Sequence, residues 1–159
     1  MKIKKQSDGF AMIEVLIAIV VLAIGLLAGS RMQILGLNYT QAATSRSFAT
    51  MAATDILDRI RLNPDGLTSY HGYDTGNGAP GDQNCGNNAC DPVQRANQDL
   101  RMWARYFREG DATDASTLLP PGAVGTIALN GAATVITITW DDFIRGEARP
   151  QTISIGAAL

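Results

Sequence analysis

The chain has 159 residues, with 13 lysines and arginines against 15 aspartates and glutamates, a length that allows one ordinary domain and leaves little room for a second. Its mean hydropathy of +0.03 is an average over two unlike parts. The twenty residues from Phe10 to Gly29 are apolar except for Glu14, and this apolar segment argues against a soluble cytosolic protein. Beyond this segment ten arginines face thirteen acidic residues, and this negative excess has the wrong sign for binding nucleic acid.

The apolar segment 10–29 is long enough to cross a membrane. Twenty helical residues span about 30 Å, the thickness of the hydrocarbon core of a bilayer. All three lysines lie within the first five residues, and positive charge marks the cytoplasmic side of a span. We therefore expect one pass, with the rest of the chain on the far side. A cleaved secretory signal peptide is the alternative, with small residues between Ala23 and Ser30 as its processing site.

Glu14 is the one ionisable residue within this segment. An ionised carboxylate at such a depth costs on the order of 3 kcal/mol to insert, and such residues generally have a partner. If the chain is cut before Phe10, the new α-amine lies one helical turn before Glu14, at the spacing at which helix groups meet. This amine could neutralise Glu14 in the same chain or on a neighbouring helix, which would let subunits pack side by side. A plain anchor with an incidental glutamate is the alternative.

The sequence GFAMIE, from Gly9 to Glu14, resembles the leader junction of type IV prepilins. The resemblance implies a leader peptide at 1–9, which a prepilin peptidase removes between Gly9 and Phe10, and methylation of the new amine of Phe10. It also implies that Glu14 guides assembly. Such a protein is held in the inner membrane by a single pass, with its C-terminal domain in the periplasm, and is then incorporated into a pilus.

Apolar residues recur at helical spacing from Ser30 to Leu62, with polar residues on the other faces, a pattern typical of an amphipathic helix. The apolar positions are Met32, Leu35, Tyr39, Ala42, Ala43, Phe48, Met51, Ala52, Ile56 and Ile60. Pro64 ends the helix, because the residue before a proline avoids the α conformation. One helix of about 80 Å is therefore predicted over 10–62, and its amphipathic half, 30–62, needs a sheet to cover it.

The end of this helix carries a second resemblance. Its residues are Asp55, Asp58, Arg59, Ile60, Arg61, Asn63 and Pro64. They resemble a motif of the PilV family, the minor pilins known as type IV pilus modification proteins. The absence of proline between Phe10 and Asn63 also favours a minor pilin over a main filament subunit.

The PilV resemblance implies a set of partners. It implies that the protein joins other minor pilins in a complex at the inner membrane that primes filament growth. It also implies contacts with the major pilin and with inner-membrane pilus assembly proteins, and that the protein can remain at the filament tip. A minor pseudopilin of a type II secretion system shares the leader, the helix and the sheet, and it is the closest alternative.

The C-terminal part, 63–159, is predicted to form a globular head in the periplasm. Segment 65–90 is rich in Gly, Asn and Asp and predicts a long surface loop. Asp91 and Pro92 are typical of a helix start, and the following apolar spacing predicts a helix over 92–109, closed by Gly110. Alternating apolar residues and an Asn-Gly turn predict three antiparallel strands, at about 123–129, 133–140 and 150–155.

The expected fold is therefore α+β and pilin-like. A long N-terminal helix packs on a three- to four-stranded antiparallel sheet, with an additional helix in the connecting region. The residues predicted to face the long helix are Ile127, Leu129, Ile136, Ile138, Trp140, Ile153 and Ile155.

Cys85 and Cys90 are the only cysteines and His71 is the only histidine, which is too few ligands for a zinc site. In an oxidising periplasm two nearby cysteines most simply form a disulfide, with two free thiols as the alternative. The bridge would pin the loop to the helix at 92–109. We expect no metal and no cofactor.

Other candidate sites have weaker patterns. Asp82, Asn84 and Asp91 carry oxygen ligands but do not follow the EF-hand spacing for calcium. His71 lies in a polar loop, where a solvated histidine is more common than a catalytic base. We therefore expect no enzymatic activity, and a membrane-anchored enzyme is the weakest alternative.

Two surface interpretations remain open. The first is an adhesive binding module that contacts a surface ligand through the Tyr70–Cys90 loop. The second concerns the arginines of the predicted second helix, which favour a solvated face, with docking to an acidic pilin neighbour as the functional alternative. These arginines are Arg95, Arg101, Arg105 and Arg108.

Overall fold

The computed structural model describes residues 8–107, 119–131, 133–144 and 147–158. Its elements, in chain order, are helix α1 (Asp8–Arg61), two 3₁₀ helices (Pro64–Tyr70 and Thr75–Asn77), helix α2 (Pro92–Ala104) and strands β1 (Val124–Asn130), β2 (Ala133–Ile144) and β3 (Glu147–Ala158). The strands form one antiparallel sheet in the order β1-β2-β3. This confirms the predicted fold class, a long N-terminal helix with a second helix and an antiparallel sheet.

The chain divides into two compact units, Met1–Thr40 and Gln41–Leu159. In the first unit α1 is long and apolar enough to cross a membrane by its length and composition. Its side chains from Met12 to Thr40 are exposed, apart from the partly covered Leu35 and Asn38. The helix satisfies its backbone groups internally, which is what a segment surrounded by lipid requires.

In the second unit α1 supplies one wall of the core. Its buried residues follow helical spacing and are Ala49, Ala52, Ala53, Ile56, Leu57 and Ile60. The predicted apolar stripe is therefore partly wrong, because Met32 and Tyr39 are 78% and 62% exposed and Met51 is 47% exposed. The small alanines leave room for α2, whose Trp103 indole donates to the carbonyl of Ala52 at 2.9 Å.

The sheet supplies the facing wall. Ile136 of β2 pairs with Ile127 of β1 and with Ile155 of β3, and Ile138 pairs with Ile153. Ile127, Ile136 and Ile138 are buried, while the two isoleucines of β3 are partly buried against the same core. Alternation along each strand therefore places one apolar face on the core, as the period of two predicts.

Strands β2 and β3 are longer than the sequence predicts. The stretch Asp141 to Ile144 continues to pair with β3, whose first residue, Glu147, lies opposite Ile144. The charged and proline residues here, such as Asp142 opposite Arg149 and Asp141 opposite Pro150, are typical of loops. The adjacent strand holds them in the ladder all the same.

Helix α2 begins where the sequence predicts. The Asp91 side chain accepts from the backbone N–H of Gln94, whose own side chain accepts from the N–H of Asp91, so the two residues form a capping box. The helix ends at Ala104 and is followed by turns. The predicted helix over 92–109 is therefore too long at residues 105–107, which form turns, and Arg108, Glu109 and Gly110 lie outside the described residues.

Segment 65–90 is only in part a surface loop. Tyr70 and Thr75 are buried, and the backbone between them runs along the free side of β1. Gly72 donates to the carbonyl of Ile127 at 2.9 Å, and Ile127 donates to the carbonyl of Tyr73 at 3.0 Å. This segment therefore covers one edge of the sheet.

Candidate assembly site

The predicted processing residues lie at the start of α1. Gly9 and Phe10 belong to its first turn, and Glu14 follows one turn later in the same helix. The spacing that the pairing hypothesis needs, from residue 10 to residue 14, is therefore helical. Residues 1–7 of the predicted leader lie outside the described residues.

Glu14 is an isolated carboxylate on an apolar surface. Its neighbours Ile13, Val15 and Leu16 are each more than half exposed, and Glu14 is exposed as well. In lipid an ionised carboxylate in such surroundings is costly, so a cationic partner would stabilise it. An amine one helical turn away, on the same chain or on a neighbouring chain, is a partner of the required charge.

The motif at the end of α1 lies in the second unit and builds a polar network. Arg59 donates to Asp55 at 2.9 Å, one turn before it, and to Asp99 of α2 at 3.3 Å. Burial alone would lower the pKa of Arg59, but hydrogen bonds and charge from Asp55 and Asp99 outweigh it, and the pKa is raised. Arg59 therefore stays charged and ties the two helices together.

Asn63 extends this network to the following segment. Its amide donates to the carbonyl of Pro92 at 2.8 Å and to the hydroxyl of Tyr70 at 3.1 Å, and that hydroxyl donates to Asp99 at 2.7 Å. Burial, together with the nearby Asp99 carboxylate, raises the pKa of Tyr70 well above its ordinary value. The motif thus fixes the end of α1, the first 3₁₀ helix and the start of α2 to one another.

Other motif residues are exposed. Arg61 pairs with Asp58 at 2.8 Å, and both side chains are roughly half exposed or more. The local sequence pattern does not predict Asp99 as the partner of Arg59. The signal available was its position three residues after Ala96 and four before Trp103, which places a carboxylate on the buried side of α2.

The predicted disulfide joins Cys85 and Cys90, with their Cα atoms 5.5 Å apart. The segment just before this bridge is docked on α2. The backbone N–H of Gln83 donates to the side chain of Gln98 at 2.9 Å, and Arg101 donates to the carbonyl of Pro80 at 3.2 Å. Side chains of α2 therefore hold the segment 80–83, and the covalent bridge closes the loop 85–90 that follows it.

These contacts assign structural roles to several candidate residues. Arg101 also lies 3.8 Å from Asp82, so it does not belong to a fully solvated arginine face. The pKa of the Asp82 carboxyl is lowered by the N–H of Asn84 and by the charge of Arg101. His71 is exposed, and its Nδ1 accepts a hydrogen bond from the backbone N–H of Leu129 at 2.9 Å. The imidazole therefore satisfies a backbone donor at the outer edge of β1.

Metal binding has no geometric support in the part of the chain that the structure describes. No group of three or more His, Cys, Asp or Glu side chains within those residues could hold an ion. Of the residues considered for calcium, Asp91 caps α2 and Asp82 accepts from the N–H of Asn84.

Comparison with known proteins identifies the N-terminal region. The family model described as the prokaryotic N-terminal methylation motif matches residues 4–30. No curated protein and no solved structure matches the chain. The matched region contains Gly9, Phe10 and Glu14 and the whole apolar segment 10–29.

The motif and the fold agree with each other. One apolar N-terminal helix that carries the methylation motif fits a single-pass protein of the inner membrane, processed by prepilin peptidase and assembled with other pilins. Proteins with this motif are structural pilins, of a pilus or of a pseudopilus. The long helix, the second helix and the antiparallel sheet form a pilin-like fold, and together with the motif they support a type IV pilin-like protein.

Proposed function

We propose that this protein is a minor pilin of the PilV kind that takes part in type IV pilus assembly. The leader 1–9 is removed between Gly9 and Phe10, and the new amine is methylated. Residues 10–29 hold the protein in the inner membrane, and the head, 63–159, lies in the periplasm. There it joins other minor pilins in a complex that primes the filament, contacts the major pilin and remains at the filament tip.

One observation carries this proposal. Glu14 is the only ionisable side chain in an apolar helical surface, and the methylation motif covers it together with the processing junction. A lone carboxylate in lipid favours any arrangement that brings a cation to it. In the proposed mechanism that cation is the Phe10 amine of a neighbouring subunit, so pairing and helix bundling occur together.

The network around Arg59 supports the finer assignment. The residues that resemble the PilV motif contact one another and α2. Their role in the fold gives a physical reason for this combination of residues at the end of the long helix. The PilV assignment itself rests on that resemblance.

The test replaces Glu14 by valine in the full-length protein. We expect Glu14→Val to insert into the membrane normally but to lose co-purification with other minor pilins and to reduce piliation severely, because the neighbour's amine has no counter-charge. Ser30→Val is the matched control. Its hydroxyl donates to the carbonyl of Leu26 in its own helix, so complexes should persist. Normal piliation and co-purification of Glu14→Val would refute the pairing mechanism.

The processing step has a separate test. Intact-mass measurement of the protein purified from membranes should give a chain that begins at Phe10 and carries one methyl group. A chain that begins between Ala23 and Ser30 would instead indicate an ordinary secretory signal peptide.

The methylation motif fits a pseudopilin of a type II secretion system equally well. The two functions differ in phenotype. Loss of the protein should abolish or reduce pili under our proposal, with extracellular enzyme secretion unchanged. Loss of secretion with normal pili would assign the protein to the secretion system.

A further inference from the structure

The outer edge of β1 is covered by the segment from His71 to Thr75. Three backbone N–H groups of β1, at every second residue, point away from β2 and donate to this segment, as alternation in an antiparallel ladder requires. The pairs are Gly125 with the Thr75 hydroxyl at 2.9 Å, Ile127 with the carbonyl of Tyr73 at 3.0 Å and Leu129 with His71 Nδ1 at 2.9 Å. Of these three acceptors, the imidazole is the one that gains a proton near neutral pH.

The bond from Leu129 defines the state of the His71 ring. A ring nitrogen accepts a hydrogen bond only when it carries no proton, so the imidazole in this contact is neutral and its proton is on Nε2. In the charged imidazolium both ring nitrogens carry a proton. Nδ1–H would then point at the N–H of Leu129, and two donors cannot bond. The contact therefore exists above the pH at which His71 gains its second proton and is lost below it.

The ionisable groups on the elements next to His71 have other contacts or are exposed. Strand β1 itself contains none. In the first 3₁₀ helix, Tyr70 donates to Asp99 at 2.7 Å, and Asp65 is exposed. Asp74 caps the second 3₁₀ helix, and its carboxylate accepts from a backbone N–H at 2.7 Å. The described contact of His71 is thus with a backbone donor, which requires the uncharged ring.

The charged residues of the neighbouring strands lie at the other end of the sheet. Leu129 pairs with Thr134 of β2, which pairs with Ala157 of β3. Strand β1 begins opposite Thr139, and the charged positions of β2 and β3 pair beyond that point. They are Asp141, Asp142, Glu147 and Arg149. Among the described strand residues, none of the charged ones therefore lies beside Leu129.

We propose that His71 is a pH-sensitive latch on the outer edge of β1. The neutral imidazole closes the end of this edge beside the Asn130–Gly131 turn, and protonation in acid opens it. The carbonyl of Tyr73 and the hydroxyl of Thr75 do not titrate near neutral pH, so they keep their bonds to β1. Acid therefore frees one backbone donor of a covered strand edge, at Leu129, without unfolding the head.

The pH range of the latch is that in which histidine changes its charge, between about pH 5 and about pH 8. His71 is also the only histidine of the chain, so the signals of the imidazole have a single source. The latch belongs to the head and does not depend on the proposed role in pilus assembly.

The first experiment follows the imidazole and its donor by NMR, with the full-length protein in detergent micelles. At about pH 8 we expect the ring nitrogen shifts of the form that is protonated at Nε2. As the pH falls, the amide proton of Leu129 should shift upfield with the same midpoint as the ring, because it loses its acceptor. A proton on Nδ1 at the higher pH, or a Leu129 amide that does not follow the ring, would overturn the proposal.

The second experiment measures amide hydrogen exchange at about pH 8 and about pH 5, as protection relative to the unfolded chain at each pH. In the native chain the protection of Leu129 should fall about fivefold in acid, the factor that one ordinary hydrogen bond supplies. His71→Ala should have the low value at both pH values. His71→Asn, whose Oδ1 takes the place of Nδ1 and does not titrate, should keep the high value at both.

The amide of Ile127 is the internal control, because its acceptor is the carbonyl of Tyr73. Its protection should be alike in the native chain and in both variants at each pH, which also shows that the variants are folded. If Leu129 lost no more protection in acid in the native chain than in His71→Asn, His71 would not be the latch. Equal loss at Ile127 and Leu129 in acid would mean that the whole edge opens, and this too would contradict the proposal.

Discussion

Arg59 and Arg61 lie two residues apart in one motif, and their surroundings give them different weights. Arg59 contacts two carboxylates on two helices, and its side chain is 25% exposed. Arg61 has one partner and is 48% exposed. When a partly buried charged side chain is removed, its former partners are left without a hydrogen-bond donor. When an exposed one is removed, water largely takes its place.

We therefore expect Arg59→Met to lower the free energy of unfolding by about 2 kcal/mol, because Asp55 and Asp99 lose their shared donor. The matched variant Arg61→Met should cost less than about 0.5 kcal/mol. Urea unfolding of the full chain, followed by tryptophan fluorescence, measures both. Equal losses would mean that the network does not hold the helices together.

Tyr70 predicts a pH dependence at alkaline pH. Burial and the Asp99 carboxylate raise its pKa in the folded protein, while the unfolded chain ionises near the ordinary value of about 10. The contribution of Tyr70 to stability is therefore complete below about pH 10 and is lost as the pH rises towards the higher folded value.

Tyr70→Phe should make this alkaline decline shallower, and at neutral pH it should cost about 1–2 kcal/mol because Asn63 and Asp99 lose a partner. Unfolding curves between pH 8 and pH 11 provide the measurement. Tyr106→Phe is the comparison, since burial and Asp55 raise the pKa of Tyr106 too. Its effect on the alkaline loss of stability should be independent of the effect of Tyr70→Phe. An unchanged slope for Tyr70→Phe would contradict the assignment.

At the scale of elements, β1 is held between a covering segment and two aromatic rings of the α2 region. Gly125 faces the core, where a Cβ atom would lie 2.6 Å from ring atoms of both Trp103 and Phe107. Those rings already pack edge to face, with centroids 4.9 Å apart. Glycine at this position lets the strand approach them closely.

Gly125→Ala should consequently destabilise the head by about 1–3 kcal/mol through overpacking. Gly156→Ala on β3 is the control, because its Cβ would meet atoms no closer than 3.7 Å, and its effect should be within about 0.5 kcal/mol. Thermal unfolding compares the two variants. If they behave alike, the contact of β1 with the rings is looser than described.

The covering segment also bears on the adhesive interpretation of Tyr70–Cys90. Tyr70 and Thr75 are buried, and Gln83 is tied to α2. Removal of this loop would expose core residues and free the edge of β1. Loss of adhesion after such a deletion would therefore report unfolding of the head rather than loss of a ligand site.

At the scale of the molecule, the two units differ in whether their apolar side chains are buried. The large buried side chains belong to the second unit, from Ile56 onward. In the first unit the large apolar side chains from Met12 onward are exposed, apart from the partly covered Leu35. The first unit therefore depends on lipid or on other helices, whereas the second contains its own core.

A fragment that begins at Gln41 should accordingly fold alone, remain soluble and keep a cooperative thermal transition close to that of the full chain. Near-UV circular dichroism would report the packing of Trp103 and Trp140. A fragment with helical content but no near-UV signal would show that the first unit is needed for packing.

The sequence by itself determined the features that depend on near neighbours along the chain. The apolar span with its single glutamate, the start of α2 at Asp91 and Pro92, and the alternating strands follow from composition, capping and periodicity. These signals are local, so they need no knowledge of the fold. Processing at Gly9 and the role of Glu14 stay predictions.

Only the tertiary structure decided which distant groups meet. Arg59 contacts Asp99 forty residues away, Arg101 donates to the carbonyl of Pro80, and a glycine- and asparagine-rich segment covers the outer edge of β1. Such pairings depend on how whole elements pack, because burial determines which polar groups and which backbone edges need a partner.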